Sequence, residues 1–162
     1  MRVAEIRPEG DETVLFLHGG SVAGWMWTTQ AEALPHHHAL IPDLPGFGDS
    51  ADVPRTDLTA VADDLAGIVR DRARDGRAHI VGLSLGGVLD APLLALAGER
   101  EPRVVRTALV DIAGPAPRGS AAIVPAMHHV WSAEDPELFH RVLAHWLEHG
   151  RPSPELTPFA VR

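Results

Sequence analysis

The chain has 162 residues, 45% of them hydrophobic, and a formal charge of −8 at pH 7. That length fits one domain with a buried core, and the negative balance offers no basic face for phosphates, which argues against nucleic acid as a partner. Cysteine is absent, which removes disulfides, a thiol nucleophile and thiolate metal sites from consideration.

Residues 3–7 and 13–17 suit strands, joined by a turn over 8–12 short enough for an antiparallel pair. The second strand ends in His18-Gly19-Gly20-Ser21, a glycine-rich loop whose backbone N–H groups can approach a ligand. A helix is expected over 26–34, a solvated loop at His36-His37-His38, and a strand over 39–42. Then comes Asp43-Leu44-Pro45-Gly46-Phe47-Gly48-Asp49-Ser50, a tight loop in which Asp43 and Asp49 read as turn formers binding backbone N–H groups. Asp57 is a candidate cap for a long amphipathic helix carrying Leu58, Val61, Leu65, Ile68 and Val69, with Gly76 as its stop. Arg70, Arg72 and Arg74 lie among Asp71 and Asp75 at its end and read as a solvated face suited to the helix dipole.

A strand over 79–81 leads into Gly82-Leu83-Ser84-Leu85-Gly86, followed by an apolar stretch expected to be helical to about Ala97. G-x-S-x-G between a strand and a helix is a specific pattern. The serine occupies a strained turn with its hydroxyl exposed at the strand tip, so its near neighbours must lack side chains. A strand is expected over 103–111. After Ile112 the composition changes: a breaker-rich connection over 114–120 is followed by a helix expected over 121–131. A clearer helix starts at Asp135-Pro136 and stops at Gly150. Alternating strands and helices predict an α/β fold, a mainly parallel sheet with helices on both faces.

Three segments in this order, the H-G-G loop, the D-x-P-G-x-G-x-S loop and the G-x-S-x-G elbow, resemble the α/β-hydrolase family over residues from about 3 to about 117. The resemblance implies an α/β-hydrolase core over 1–117 and a partial helical cap over 118–162. It implies Ser84 as nucleophile and the N–H groups of Gly20 and Leu85 as the oxyanion hole, in hydrolysis of an ester or related acyl bond. It implies no metal and no organic cofactor, and a small, partly apolar substrate.

A serine nucleophile needs a base, and the base needs an orienting acid. The resembled family places both after later strands, and 78 residues follow Ser84 here. The expectation is therefore a chain covering the first half of the fold and part of the cap. It could be a truncated product, half of an enzyme completed by a complementing chain, or a complete protein with a substitute triad. Asp111, at the end of a strand, is the best substitute acid. His128, His129, His140, His145 and His149 are the histidine candidates, all on cap-like segments. The alternative function is a non-catalytic interaction protein, homo-oligomeric through exposed sheet edges.

Other residues read more plainly. His18 reads as a structural residue beneath the oxyanion loop. His145 and His149, one helical turn apart, have metal-binding spacing but no third ligand nearby. Trp25 and Trp27 could line an apolar pocket or pack the first helix onto the sheet. Trp131 and Trp146 read as facing the core or the cap's inner surface. The N-terminus shows no secretory signal and no apolar run is long enough to cross a bilayer, so no membrane partner and a cytoplasmic location are expected.

Overall fold

The computed structural model describes residues 1–55, 57–87, 94–98 and 120–158. The chain forms two compact units, Met1–Leu89 and Asp90–Arg162. The boundary expected after Pro117 lies outside the described residues.

The first unit contains β1 (Val3–Ile6), β2 (Glu12–Leu17), α1 (Thr28–Glu32), β3 (His37–Pro42), α2 (Leu58–Arg72) and β4 (His79–Gly82). The strand order is β1-β3-β2-β4. β2 runs parallel to β3 and to β4, while β1 is antiparallel to β3, with Val3 opposite Pro42. The expected pairing of the first two strands is thus corrected. Both edges of β2 are occupied by parallel neighbours, so β1 crosses to the outer edge of β3.

As the inner strand, β2 is buried from Thr13 to Leu17, and its period of two divides the side chains between two cores. Leu15 and Leu17 join Leu40, Leu44 and Leu65, with Val61, Ile68 and Val69 of α2 packed against them. Phe16 points the other way and meets Trp27, ring centroids 5.5 Å apart. Helical segments therefore cover both faces of the sheet. α2 begins where the sequence predicts. Asp57 Oδ1 accepts from Ala60 N–H at 2.9 Å, and Arg70 and Arg72 occupy the last turn, where the dipole favours cations. Leu65 is buried at 3% exposure; covering a leucine contributes about 2 kcal/mol.

The histidine run is also corrected. β3 starts at His37, and His38 is buried, its Nδ1 3.2 Å from Thr13 Oγ1. The parallel register places His38 beside Thr13, so the strand carries it inward.

The second unit contains β5 (Leu94–Gly98), β6 (Ser120–Val124), α3 (Trp131–Glu134), α4 (Pro136–His149) and β7 (Thr157–Pro158). β5 pairs parallel with β6, and β6 antiparallel with β7. Two helix expectations fail here. Residues 94–98 are a strand rather than the end of a helix, and 120–124 are a strand where a helix over 121–131 was expected. Short apolar runs rich in Ala and Leu lack a period that separates the two conformations. In β6, Ala122 and Val124 are buried and Ile123 only partly so, the alternation of a strand. α4 matches its signals. Asp135 Oδ1 accepts from Leu138 N–H at 2.9 Å, and Gly150 closes the helix at φ +63°, a conformation natural to glycine. Phe139, Val142 and Leu143 face inward, and Phe139 meets the Trp131 ring at 4.9 Å. The expected strand over 103–111 lies outside the described residues. No helix among the described residues is long and apolar enough to cross a membrane.

Candidate active site

Parallel strands deliver their following loops to one edge of the sheet. After β2 comes His18-Gly19-Gly20-Ser21, after β3 the loop from Asp43 to Ser50, and after β4 the turn carrying Ser84. Three features hold these loops together.

The first is the Ser84 turn. Leu83 N–H donates to Leu17 O at 3.0 Å, anchoring the turn to the end of β2. Ser84 adopts φ +51°, the left-handed region that costs a non-glycine residue about 1 kcal/mol or more. It is exposed and opens a 3-10 turn, Ser84–Gly87, closed at its start by Gly86 N–H to Leu83 O at 2.9 Å. Gly86 lies flat on β2. A Cβ there would stand 2.5 Å from Leu17 O and 2.7 Å from Leu17 Cβ. That contact is a steric reason for the glycine two positions after the serine.

The second is Asp43. Its Oδ1 accepts from Gly24 N–H at 2.6 Å and its Oδ2 from Asp49 N–H at 2.7 Å. One carboxylate thereby ties the loop after β3 to the start of the Trp25 turn, with charge-assisted bonds. Asp49 contributes its own N–H to that network.

The third is His18, fully buried. Leu44 N–H donates to its Nε2 at 2.9 Å, and its Nδ1 lies 2.7 Å from Gly19 O. Phe47 packs edge-on against the ring, centroids 5.3 Å apart, and the Arg55 guanidinium lies 4.7 Å from the Phe47 centroid. The His18 ring therefore bridges the loops after β2 and β3. Phe47 occupies a variable position of the D-x-P-G-x-G-x-S loop and Arg55 lies beyond it, so neither carries a sequence signal for this packing. Gly19 is buried against Leu83, where an added Cβ would sit 3.4 Å from Leu83 O, whereas Gly20 is exposed with open space around it.

Leu85 follows Ser84 within the 3-10 turn. Trp25 stands 71% exposed beside the glycine loop, while Trp27 is 2% exposed. Trp27 is thus a core residue against Phe16 and does not line an open pocket. Asp111 lies outside the described residues. His140, His145 and His149 are on α4 of the second unit, the last two with rings 4.4 Å apart. Burial lowers the pKa of His140, opposed by Glu137. His128 precedes α3, its Nδ1 3.0 Å from Glu134 Oε2. Among the described residues no group of three or more His, Cys, Asp or Glu side chains could hold a metal ion.

The opposite, amino-end edge of the sheet carries charge. Glu12 Oε2 lies 3.5 Å from His79 Nε2 and 4.0 Å from His37 Nε2. Burial lowers the His37 pKa, Glu12 raises it, and His79 and His36 lower it further; the net direction is down. Glu5, on β1, pairs with Arg72 at 2.9 Å.

Residues 14–161 match the model of the alpha/beta hydrolase family, and the chain belongs to that family. It is 37% identical over 86 residues to an AB hydrolase superfamily protein of Gibberella zeae, covering 52% of this chain and 30% of that protein. It is 33% identical over 101 residues to the pimeloyl-[acyl-carrier protein] methyl ester esterase of Vibrio campbellii, covering 62% and 37%. The chain thus spans about a third of the length of these curated relatives. Among solved structures, MenH from S. aureus superposes with a TM-score of 0.71 at 14% identity, covering 93% of this chain and 98% of that one. A thermophilic esterase from Thermogutta terrifontis gives 0.70 at 17%, covering 91% and 92%. At such identities these likenesses concern the fold.

Proposed function

We propose that this chain is a serine hydrolase acting on an ester or related acyl bond of a small, partly apolar substrate. The observation that carries the reading is the exposed Ser84 at φ +51° directly after β4, packed through Leu83 against a glycine loop. In this reading the Ser84 hydroxyl attacks the acyl carbon and the N–H groups of Gly20 and Leu85 receive the developing oxyanion. Trp25 offers an apolar rim. No metal or organic cofactor takes part. The attack releases the serine proton to a histidine base oriented by an acid. Asp111, outside the described residues, is the candidate acid, and the candidates for the base are His128, His129, His140, His145 and His149 or a histidine of a complementing chain. The names of the relatives, an esterase among them, support acyl chemistry and leave the substrate open.

The test is hydrolysis of short-chain aryl esters by the wild type and by Ser84→Ala. The account expects turnover in the wild type that falls to background, a loss of roughly a thousandfold or more, in the variant. Equal turnover by both proteins contradicts it.

A second reading is a non-catalytic protein that associates through a sheet edge. Its support is β4, which among the described residues pairs only with β2 and leaves Ile80 39% exposed. Such an edge invites pairing with another chain. Under this reading sedimentation shows a dimer and Ser84→Ala changes nothing measurable; a monomer removes it.

A further inference from the structure

We propose that His18 is a positioning residue that holds the Gly19–Gly20 peptide with Gly20 N–H turned to the open side of the loop, beside the Leu83-Ser84 turn. The inference rests on reading Ser84 as the nucleophile, and it concerns what keeps the oxyanion site aimed.

Two adjacent glycines resist peptide rotation poorly, because neither has a Cβ to restrict it. A loop that must present one N–H in a fixed direction therefore needs an external lock. His18 supplies one through its tautomer. Leu44 N–H points at Nε2 at 2.9 Å, and a ring nitrogen that accepts carries no proton. The proton then sits on Nδ1, 2.7 Å from Gly19 O, and is donated to that carbonyl. The chain contains no cis peptide bonds among its described residues, and in a trans peptide C=O and N–H point in opposite directions. With Gly19 C=O held toward the buried ring, Gly20 N–H must face away from it. That is the exposed side of the loop, where Gly20 has open space, and its neighbour Gly19 abuts Leu83 O. The other tautomer would set two N–H groups against each other at Leu44 and release the Gly19 carbonyl.

The ring itself is fixed from the loop after β3. Leu44 and Phe47 both contact it, and Arg55 covers Phe47. The D-x-P-G-x-G loop thus sets the orientation of a peptide in the loop after β2, and the buried histidine carries that setting.

Two substitutions separate this role from simple packing. Asparagine places an amide nitrogen where Nδ1 stands, so His18→Asn keeps a donor for Gly19 O and gives up the acceptor for Leu44. Glutamine places an oxygen near Nε2, so His18→Gln keeps the Leu44 acceptor and gives up the Gly19 donor. The readout is the rate of Ser84 labelling by a fluorophosphonate, alongside the thermal midpoint of each full-length variant. The expected result is a maximal labelling rate about 30-fold lower in His18→Gln, with unchanged half-saturation, and within about fivefold of wild type in His18→Asn. Equal rates in the two variants, or rates that simply follow their midpoints, overturn the proposal. Nitrogen-15 NMR of the wild-type histidines decides the same point without chemistry. A His18 protonated on Nδ1 with a rapidly exchanging Gly20 amide supports it, and a His18 protonated on Nε2 overturns it. If the wild type takes no label, the nucleophile reading fails and the NMR result alone decides the positioning of the peptide.

Discussion

The two ends of the parallel sheet in the first unit differ in kind. At the amino end, ionisable side chains face one another: Glu12 lies between His37 and His79, and Glu5 pairs with Arg72. At the carboxyl end, the groups that matter are largely backbone: the Gly19–Gly20 peptide, the Ser84 turn, and loop amides gathered by Asp43 and His18. A search for clustered ionisable residues would select the amino end. Left-handed backbone occurs at both ends, at Arg7 and Asp75 on the amino side and at Ser21 and Ser84 on the carboxyl side, but only the carboxyl side presents it on an exposed serine after a strand tip.

Breaking the carboxyl end should have the largest effect. Gly86→Ala forces a methyl group into the Leu17 backbone, and overpacking of this kind costs about 3 kcal/mol. Urea unfolding should show that loss; a change below about 0.5 kcal/mol would mean the turn does not lie on β2 as described.

A smaller effect, of opposite sign, sharpens the contrast. Ser84→Gly removes the Cβ from a left-handed residue and should stabilise the protein by about 1 kcal/mol while abolishing reaction at this position. A loss of stability instead would show that the serine is not strained.

The smallest effect belongs to the amino end. His37 has a folded-state pKa below its ordinary 6.5 because burial disfavours its charged form. Above that value both states are neutral and the group contributes no pH dependence. As the pH falls through 6.5 the unfolded chain binds a proton that the folded chain resists, so stability declines toward lower pH. Between about pH 7.5 and about pH 5.5, His37→Gln should shallow that decline while leaving ester turnover at pH 7.5 unchanged. An identical slope in both proteins would remove His37 from the account.

Much of the first unit was legible in the sequence because its signals are local. Each glycine loop follows an apolar strand, Asp57 and Asp135 lie one residue before their helices, and Gly150 lies one after. What escaped depends on distant partners. β1 finds β3 rather than β2, since the choice is made by which edges the other strands occupy. His38 is drawn inward by Thr13, 25 residues away. Trp25 and Trp27 are two positions apart, and only the presence of Phe16 shows which one is buried. In the second unit, Leu94–Gly98 and Ser120–Val124 are runs whose composition suits either conformation, and their pairing with each other decides it. At the site, Ser84 carried a motif, while the packing of Phe47 and Arg55 carried no sequence signal.

The central claim is that Ser84 is a nucleophile at the strand tip. Incubating the full chain with a fluorophosphonate and mapping the adduct by peptide mass spectrometry tests it most directly. The account predicts one adduct, on Ser84, absent from Ser84→Ala; no adduct, or one on another serine, contradicts it.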